Sequence, residues 1–434
     1  MKKDGMNATL YDYQQRDLAQ LFKALEGAGP QHRLLYQLPT GGGKTVMFSE
    51  IARKFINETG RKVVILTHRL ELCRQTSTTL RKAGIRNKVI NSDTKKINET
   101  SFECYVAMVE TLRNRIEDGK FDTSQTGLLI IDEAHHNSFS KLFSAFDHAL
   151  VIGVTATPLS SDSAIAMHDI YQQLIIGEGI EALIKNGFLA RPTTWRYDVE
   201  INSLEKGSGG DFTISTSDEL YSSPAMLQLL MDAYQSHSKN KKTLIFNNGI
   251  FTSKNVCQFF SDAGYDIRHL DNTTTAAERE NILQWFRKTS NAILTSVSIL
   301  TTGFDEPTIR TVILNRATTS LTLFHQMIGR GSRSLPKKKT FTIIDLGNNT
   351  ERFGPWEAKV DWQYIFDHPD EYTKKMNEQL SAGTHHMRSD LRSLFPDTLE
   401  LSFDVQAAYR IALSEQKKPI NVLHESIRQH ALMC

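Results

Sequence analysis

Short apolar runs alternate with helix-length segments through the first half of the chain. The runs cover residues 34–38, 63–67, 104–108, 128–132 and 151–155. This alternation predicts a parallel β-sheet covered by helices. Because the runs contain few polar positions, we expect strands that are buried on both faces. Ligands of such a sheet bind at the carboxyl ends of its strands.

The same pattern returns in the second half and predicts a second α/β domain. Its apolar runs cover residues 243–247, 267–270, 292–296, 311–314 and 341–345. Residues 202–217 include the sequence KGSGGD and lack sustained periodicity, which is typical of a linker or a surface excursion. The predicted organisation is a first domain at 1–200, a linker or excursion at 201–224, a second domain at 225–350 and an extension at 351–434.

The C-terminal extension is predicted to be mainly helical. Positions 405, 408, 411 and 412 are apolar and share one helical face, but they indicate no chemistry. Four aromatic residues near its start favour packing onto the second domain over stacking on nucleic-acid bases. They are Trp356, Trp362, Tyr364 and Phe366. A protein partner could also bind through this extension.

Length and composition favour a soluble globular protein of two domains over a membrane protein. At 434 residues the chain exceeds the size at which one hydrophobic core stops growing, so two domains are expected. Its 40% hydrophobic and 23% charged residues are typical of a soluble globular protein. No apolar run approaches the roughly 20 residues that span a bilayer. Since residues 1–5 also precede no signal-peptide core, we expect a cytoplasmic location and no membrane partner.

Cysteine usage and charge indicate little chemistry by themselves. The four cysteines stand singly and form no CxxC pair, which argues against a zinc site or a redox motif. The net charge of +2 is too small to indicate a nucleic-acid partner. The basic run at 337–339 is predicted to be a solvated loop.

A glycine-rich loop at 38–45, LPTGGGKT, follows the first predicted strand. A strict GxxxxGK[ST] pattern requires glycine where this chain has Leu38. The three glycines nevertheless permit positive φ, Lys44 can reach the β- and γ-phosphates of a nucleotide, and the Thr45 hydroxyl can ligate magnesium. The alternative, a strand-to-helix turn with an incidental lysine, is disfavoured by the strand before the loop and the helical pattern after it.

A pair of carboxylates, Asp132 and Glu133, ends the apolar run at 128–131. Carboxylates at the end of a buried strand can hold magnesium and activate water. The pair and the glycine loop together predict a nucleoside triphosphatase.

The motifs together resemble those of superfamily 2 helicases. In order along the chain they are the loop at 38–45, DEAH at 132–135, TATP at 155–158 and QMIGRGSR at 326–333. The resemblance covers roughly residues 10 to 345 and implies two tandem RecA-like domains that form a cleft for ATP. In this family leucine is common at the first position of the loop. The phrase LTTGFDEP at 300–307 resembles the RadD-like and restriction-motor branch, which implies DNA rather than RNA.

The resemblance also assigns roles to individual residues. Gln14 would recognise adenine, with Gln15 as the alternative. Asp132 would hold Mg²⁺ together with Thr45, and Glu133 would orient or deprotonate the attacking water. His135, Thr155 and Thr157 would couple hydrolysis to movement. The full set assigned to ATP is Gln14, Thr40, Gly41, Gly42, Gly43, Lys44, Thr45, Gly303 and Asp305.

Three residues of the last motif are separated by four and seven positions. Gln326, Arg330 and Arg333 are therefore predicted to share one face of a helix and to point together into a cleft. The planar guanidinium of arginine suits the charge that develops on a transferring phosphoryl group, so these residues join Glu133 as catalytic candidates. Salt bridges on a helix surface are the alternative interpretation.

Nucleic acid is expected to bind largely independently of sequence, through hydroxyl, amide and backbone groups that contact phosphates. By family position the candidates are His68, Arg69, Thr111, Asn248 and Thr302. The leading hypothesis is an ATP- and Mg²⁺-dependent DNA helicase. A duplex translocase without unwinding, an RNA helicase and an ATP-controlled scaffold in a repair or defence complex remain as alternatives.

Overall fold

The computed structural model describes residues 10–92, 94, 101–162, 164–207, 209–301, 303–381 and 399–402. The chain divides into two compact units. Unit 1 consists of Met1–Ala182 and Lys359–Thr373, and unit 2 consists of Leu183–Ala358 and Lys374–Cys434. The helices α6 (Ile180–Lys185) and α14 (Pro369–Ser381) each contain a point where the chain passes from unit 1 to unit 2.

Unit 1 is built on a parallel sheet. Its elements are α1 (Asp12–Leu25), β1 (Arg33–Gln37), α2 (Lys44–Thr59), β2 (Lys62–Thr67), α3 (Leu70–Lys82), β3 (Asn87–Ile90), β4 (Cys104–Met108), α4 (Val109–Glu117), β5 (Thr126–Asp132), a 3₁₀ helix (Asn137–Phe146), β6 (Leu150–Thr155), α5 (Met167–Ile170), β7 (Gln173–Ile176) and, after unit 2, α13 (Trp362–Asp367). Among the described residues the strand order is β3-β4-β2-β5-β6-β1-β7, and every pairing is parallel.

Unit 2 is built on a second parallel sheet. Its elements are β8 (Arg191–Asp198), α7 (Ile214–Tyr221), α8 (Pro224–His237), β9 (Thr243–Asn247), α9 (Ile250–Asp262), β10 (Ile267–Leu270), α10 (Ala276–Lys288), β11 (Ile293–Ser296), β12 (Thr311–Asn315), α11 (Leu321–Ile328), β13 (Thr340–Asp345), α12 (Asn349–Phe353) and β14 (Leu399–Ser402). In the part of the chain that the structure describes, the strand order is β10-β11-β9-β12-β13-β8-β14.

Local sequence signals fix several helix ends. Ser223 caps α8 by accepting a hydrogen bond from the Met226 backbone, and proline occupies the first helical position. Thr275 and Glu278 form a capping box at the start of α10. The helix α2 ends at Gly60, which adopts the left-handed conformation with φ of 69°.

The predicted pair of parallel α/β sheets is confirmed. All ten apolar runs are strands, and the bounds predicted for β4, β9 and β10 agree with the structure. The prediction works because the central strands are buried on both faces: each residue of β5, β9 and β12 is buried.

Four strands were not predicted, and one of them moves the domain boundary. β8 lies within the predicted first domain, but it pairs with β13 in the sheet of unit 2. Two of its buried residues, Thr194 and Arg196, are polar, so it lacks the continuous apolar run of the other strands. The segment predicted as a linker at 201–224 is likewise part of unit 2, where it includes α7 and the start of α8.

The C-terminal extension is shared between the two units. Trp356 is buried in unit 2, as predicted for these aromatics. Trp362 and Phe366 are instead buried in unit 1, where the Phe366 carbonyl lies 2.8 Å from Nδ1 of His168. The predicted helical face at 405–412 lies outside the described residues. No described helix has the length and apolar character needed to cross a membrane.

Candidate active site

The glycine-rich loop joins β1 to α2 at the carboxyl edge of the first sheet. The Leu38 N–H donates to the Thr155 carbonyl at 2.9 Å, which ties the loop to β6. Gly41 and Gly43 have φ of 97° and 86°, so this backbone requires glycine at both positions. A side chain at Gly42 would lie 2.9 Å from Cγ of Leu38. The loop therefore has the conformation and the bare backbone that a phosphate-binding loop needs.

The helix α2 begins directly after this loop. Its first turn contains no acidic residue, so its N-terminal amides and the helix dipole favour an anion. Oγ1 of Thr40 is buried and has no hydrogen-bond partner among the described residues. Nζ of Lys44 lies 3.5 Å from the Leu38 carbonyl, folded back over the loop. These groups fit the phosphates of a nucleotide.

The structure distinguishes between the two candidate glutamines of α1. Gln14 is buried, and its Nε2 lies 3.5 Å from the Gly42 carbonyl. A Cβ atom at Gly43 would lie 2.7 Å from the same nitrogen. Gln15 is exposed and donates to the Leu10 carbonyl instead. Tyr13 also donates to the Gly42 carbonyl, at 2.8 Å. Of the two glutamines, Gln14 is thus the one placed beside the loop.

A buried pair that we did not predict anchors α1 to the sheet. The Tyr36 hydroxyl in β1 donates to the Asp17 carboxylate at 2.7 Å. Burial raises the pKa of both groups. The pair holds the helix that carries Gln14, and the helical position of Asp17 alone gave no sign of this role.

Asp132 is the last residue of β5, and both it and Glu133 are buried. The Glu133 N–H donates to Oδ1 of Asp132 at 3.1 Å. Burial and then the charge of Glu133 raise the pKa of Asp132, while the charge of Lys44 lowers it. Glu133 has φ of 52°, a left-handed conformation that turns the chain sharply at the strand end.

The donor set fits magnesium. In the described part of the chain no three His, Cys, Asp or Glu side chains converge on a metal site. Mg²⁺ does not require such a cluster, because it binds through one or two protein oxygens together with phosphates and water. The Asp132 carboxylate and the Thr45 hydroxyl are oxygen donors of this kind.

His135 contacts the two threonines that the resemblance grouped with it. Its Nδ1 lies 3.0 Å from Oγ1 of Thr155. That hydroxyl donates to the Thr157 carbonyl at 2.9 Å, so it accepts from His135, and Nδ1 carries the ring proton. Burial lowers the pKa of His135 to about 3, which keeps the ring neutral. Oε2 of Glu133 lies 3.5 Å from the same nitrogen.

The candidate nucleic-acid residues of unit 1 follow β2 and β4 at the same sheet edge. The His68 ring packs edge-on against His136 and Phe139, with centroids 4.5 Å and 4.4 Å apart, and burial lowers its pKa to about 4. Arg69 is the N-cap residue of α3, and Thr111 lies in the first turn of α4; both are partly exposed.

In unit 2 the predicted helical face of the last motif is wrong. α11 ends at Ile328, so Gln326 is helical whereas Arg330 and Arg333 lie beyond its end. A Cβ atom at Gly331 would lie 2.5 Å from the Phe341 ring. The turn packs so closely on this ring that no side chain fits at position 331. Residues separated by four and seven positions share a helical face only if the helix continues through all of them. Here the helix stops before Gly329 and Gly331.

The two arginines have different surroundings. Arg330 is buried and donates to the carbonyls of Thr301 and Phe304. Arg333 is partly exposed and pairs with Asp305 at 3.0 Å. Gln326 is buried, and Gly303 has φ of 74°. Unit 2 therefore brings the last motif and the loop at 303–307 together.

The remaining nucleic-acid candidates receive no support from the structure. Nδ2 of Asn248 is buried and lies within 3.2 Å of the Phe212 and Thr213 carbonyls and 2.7 Å from Oγ of Ser217. These contacts keep its amide inside unit 2, away from a ligand. Thr302 lies outside the described residues.

Two polar networks of unit 2 were not predicted from the sequence. Asp211, in the glycine-rich segment, accepts hydrogen bonds from Arg316, Thr318 and the Thr319 backbone. Lys338, predicted to lie in a solvated loop, is only 2% exposed. The neighbouring lysines 337 and 339 are exposed, so the prediction holds for them alone.

Comparisons with known proteins agree with this geometry. Residues 7–160 match the family described as the type III restriction enzyme res subunit, and residues 225–334 match the helicase conserved C-terminal domain. By these matches the chain is similar to superfamily 2 helicases of the restriction-motor kind. The two parallel-sheet units correspond to the tandem RecA-like domains of this superfamily.

Individual relatives of this chain include yeast and phage proteins. IRC3 of Saccharomyces cerevisiae, which is named as an ATP-dependent helicase, is 30% identical over 358 residues, covering 77% of this chain and 51% of IRC3. A 51.5 kDa protein of a Lactococcus phage is 28% identical over 339 residues, covering 77% of this chain and 70% of the phage protein. The chain thus spans about half the length of its yeast relative.

A solved structure shares the fold of this chain. It is a fragment described as the HsdR subunit of a type I restriction enzyme from Vibrio vulnificus. The TM-score is 0.65 at 23% sequence identity, over 80% of this chain and 67% of the fragment.

Proposed function

We propose that this chain is an ATP-dependent helicase or translocase that moves along nucleic acid largely independently of sequence. One observation carries the proposal. In unit 1 the open start of α2, the unpartnered Thr40 hydroxyl and the two buried carboxylates lie at one edge of a parallel sheet, where such sheets bind ligands. The restriction-enzyme relatives support DNA over RNA as the substrate.

ATP and Mg²⁺ would be handled by the residues around the loop. Residues 40–45 hold the phosphates, and Gln14 recognises adenine. Thr45 and Asp132 would hold Mg²⁺, which when bound neutralises charge on the phosphates. Glu133 orients the attacking water and takes its proton.

The residues of unit 2 act on the transferred phosphoryl group. Arg333 is the candidate with an accessible guanidinium, and Arg330 braces the loop through the Thr301 and Phe304 carbonyls. Gln326, Gly303 and Asp305 complete this part of the proposed site. The cluster of His135, Thr155 and Thr157 transmits the state of Glu133 to β6, because the histidine lies close to both.

Nucleic acid contacts are proposed for Arg69 and Thr111, whose partly exposed side chains lie at helix starts where phosphates bind favourably. His68 supports this edge by packing against His136 and Phe139. The Asn248 side chain is excluded from the proposed contacts because its amide is held inside unit 2.

Two substitutions test the hydrolytic site. Lys44→Ala and Glu133→Gln should each lower DNA-stimulated ATP hydrolysis by about 10²-fold or more, because each removes a group that acts on the reacting phosphate or water. Lys82→Ala and Glu117→Gln, which change exposed residues of α3 and α4, serve as matched controls. Turnover near wild type in Lys44→Ala or Glu133→Gln would refute the assigned mechanism.

The nature of the substrate requires separate assays. ATPase stimulation by DNA and by RNA of matched sequence distinguishes the two nucleic acids, and we expect DNA to be the stronger activator. A strand-displacement assay beside a triplex-displacement assay separates unwinding from duplex translocation, since a translocase alone displaces only the third strand. The cytoplasmic location and a protein partner at the C-terminal extension stay predictions.

A further inference from the structure

A buried lysine lies beside the last motif of unit 2. Lys338 is 2% exposed, although it stands in a run of three lysines. Its ammonium group donates to the Gly331 carbonyl at 2.6 Å and to the Pro307 carbonyl at 3.0 Å. A charged donor makes these bonds stronger than bonds between neutral groups.

The two carbonyls belong to the two segments of unit 2 assigned to ATP hydrolysis. Gly331 lies in the turn that carries Arg330 and Arg333, and Pro307 ends the loop at 303–307. A single ammonium group therefore connects the turn to the loop. Gly331 lies two residues before Arg333 in the chain. A shift of the Gly331 carbonyl would therefore displace the backbone of Arg333 and with it the guanidinium group.

Other contacts hold the same two segments from different sides. Arg330 donates to the Phe304 carbonyl in the loop and to the Thr301 carbonyl before it. Glu306, next to Pro307, is buried and lies 3.6 Å from the buried ammonium of Lys242. Lys338 adds a side-chain contact to the Gly331 carbonyl of the turn, and the Ala190 N–H donates to the next carbonyl, that of Ser332, at 2.7 Å.

Keeping a lysine in this place opposes folding. Burial, and then the charges of Arg310 and Arg333, lower the pKa of Lys338 to about 7, and the charge of Glu306 opposes this shift. An apolar side chain would fill the space without this desolvation cost. Perturbed buried lysines are concentrated at functional sites, which favours a role beyond packing.

We propose that Lys338 is a positioning residue for ATP hydrolysis, which sets the turn after α11 so that Arg333 meets the transferring phosphoryl group. The inference rests on the proposed function. Lys338 touches neither nucleotide nor metal in this role and acts only through the Gly331 and Pro307 backbone. Its effect should therefore require Arg333.

A double-mutant cycle in the full chain tests this dependence. The variants are Lys338→Met, Arg333→Ala and the two combined, with Lys337→Met as the matched control from the exposed part of the same run. Single-turnover ATP hydrolysis with saturating DNA is measured at several ATP concentrations. This design separates the maximal rate from the apparent ATP affinity.

We expect Lys338→Met to lower the maximal rate about tenfold with little change in ATP affinity, because a misplaced catalytic group weakens the transition state more than the ground state. Arg333→Ala should lose about 10²-fold or more, and the double variant should be no slower than Arg333→Ala alone. Lys337→Met should match wild type.

Two results would overturn the proposal in distinguishable ways. If the losses of the single variants multiply in the double variant, Lys338 acts independently of Arg333 and this inference fails while the ATPase assignment stands. If Arg333→Ala hydrolyses ATP at the wild-type rate, the assigned role of Arg333 fails and the inference fails with it.

Should Lys338→Met not fold, Lys338→Gln replaces it in the same cycle, since its amide keeps a donor for the two carbonyls. We expect Lys338→Gln to lower the maximal rate by less than about tenfold when Arg333 is present and to have no effect when Arg333 is absent. An equal effect in both backgrounds would contradict the proposal.

Discussion

Removing the Asp211 carboxylate should destabilise unit 2 strongly, although Asp211 lies in a glycine-rich segment. Its oxygens accept from Arg316 at 3.0 Å, from the Thr318 hydroxyl at 2.9 Å and from the Thr319 N–H at 2.8 Å. Arg316 is only 4% exposed, so Asp211→Ala leaves a buried cation without this carboxylate. The three contacts also fix the chain just before α11 begins.

The size of the loss in stability follows from how deeply Asp211 and Arg316 are each buried. Breaking a fully buried pair costs about 3–5 kcal/mol, but the Asp211 side chain is 30% exposed, so the lower end of this range applies. We expect a loss of about 3 kcal/mol in the free energy of unfolding. With a urea m-value of about 3 kcal/mol/M for a unit of this size, the midpoint should fall by about 1 M.

Tryptophan fluorescence is suited to this measurement. Of the four tryptophans, three lie in unit 2 and Trp362 lies in unit 1. Asp211→Asn keeps an acceptor of the same shape without the charge and should show about half of the shift. Asp262→Ala removes an exposed aspartate at the end of α9 and should shift the midpoint by about 0.2 M or less. A shift in Asp211→Ala as small as in Asp262→Ala would refute the reasoning.

Three further predictions concern other parts of the molecule. Gly43→Ala should weaken ATP binding about tenfold or more in calorimetry, and adding Gln14→Ala should restore it only partly, because the φ of 86° remains unfavourable after the contact with Nε2 is relieved. Tyr36→Phe should lower the free energy of unfolding by about 1–3 kcal/mol in denaturation followed by circular dichroism, since buried Asp17 loses its donor; no change would contradict the anchoring role. Burial lowers the pKa of His325 to about 4, below its unfolded value, so its contribution to stability is present above about pH 6.5 and is lost as the pH falls towards 4. The stability lost at pH 5, relative to neutral pH, is about 2 kcal/mol, and the unfolding free energy of His325→Gln should depend correspondingly less on pH.

The fold was predictable where strands are buried on both faces. The bounds of β9 follow from its continuous apolar run, because parallel strands under two layers of helices tolerate few polar residues. β8 was not predicted because its pairing partner β13 follows it by more than a hundred positions and because its buried residues include the polar Thr194 and Arg196. Such a strand is specified by its neighbours in the sheet and not by its own pattern.

The candidate site was predictable to the extent that its chemistry is local. Gly41 and Gly43 of the glycine-rich loop are required by backbone conformation, so the loop can be recognised from the sequence. Asp132 and Glu133 were placed by the strand before them. Lys338 and Asp211 could not be recognised, because their roles depend on carbonyl, hydroxyl and guanidinium groups distant in sequence. A charged residue in a loop has the same pattern whether tertiary contacts bury it or leave it in water.

The placement of α13 has a consequence for synthesis on the ribosome. This helix belongs to unit 1, yet it follows the whole of residues 183–358 along the chain. Until it emerges, the surface of α5 and β7 that receives Trp362 and Phe366 stays uncovered. At about 5–20 residues per second, that interval lasts on the order of 10–40 s. Vectorial folding therefore leaves unit 1 unfinished while unit 2 is made, and an N-terminal fragment that ends at residue 182 should be prone to aggregation.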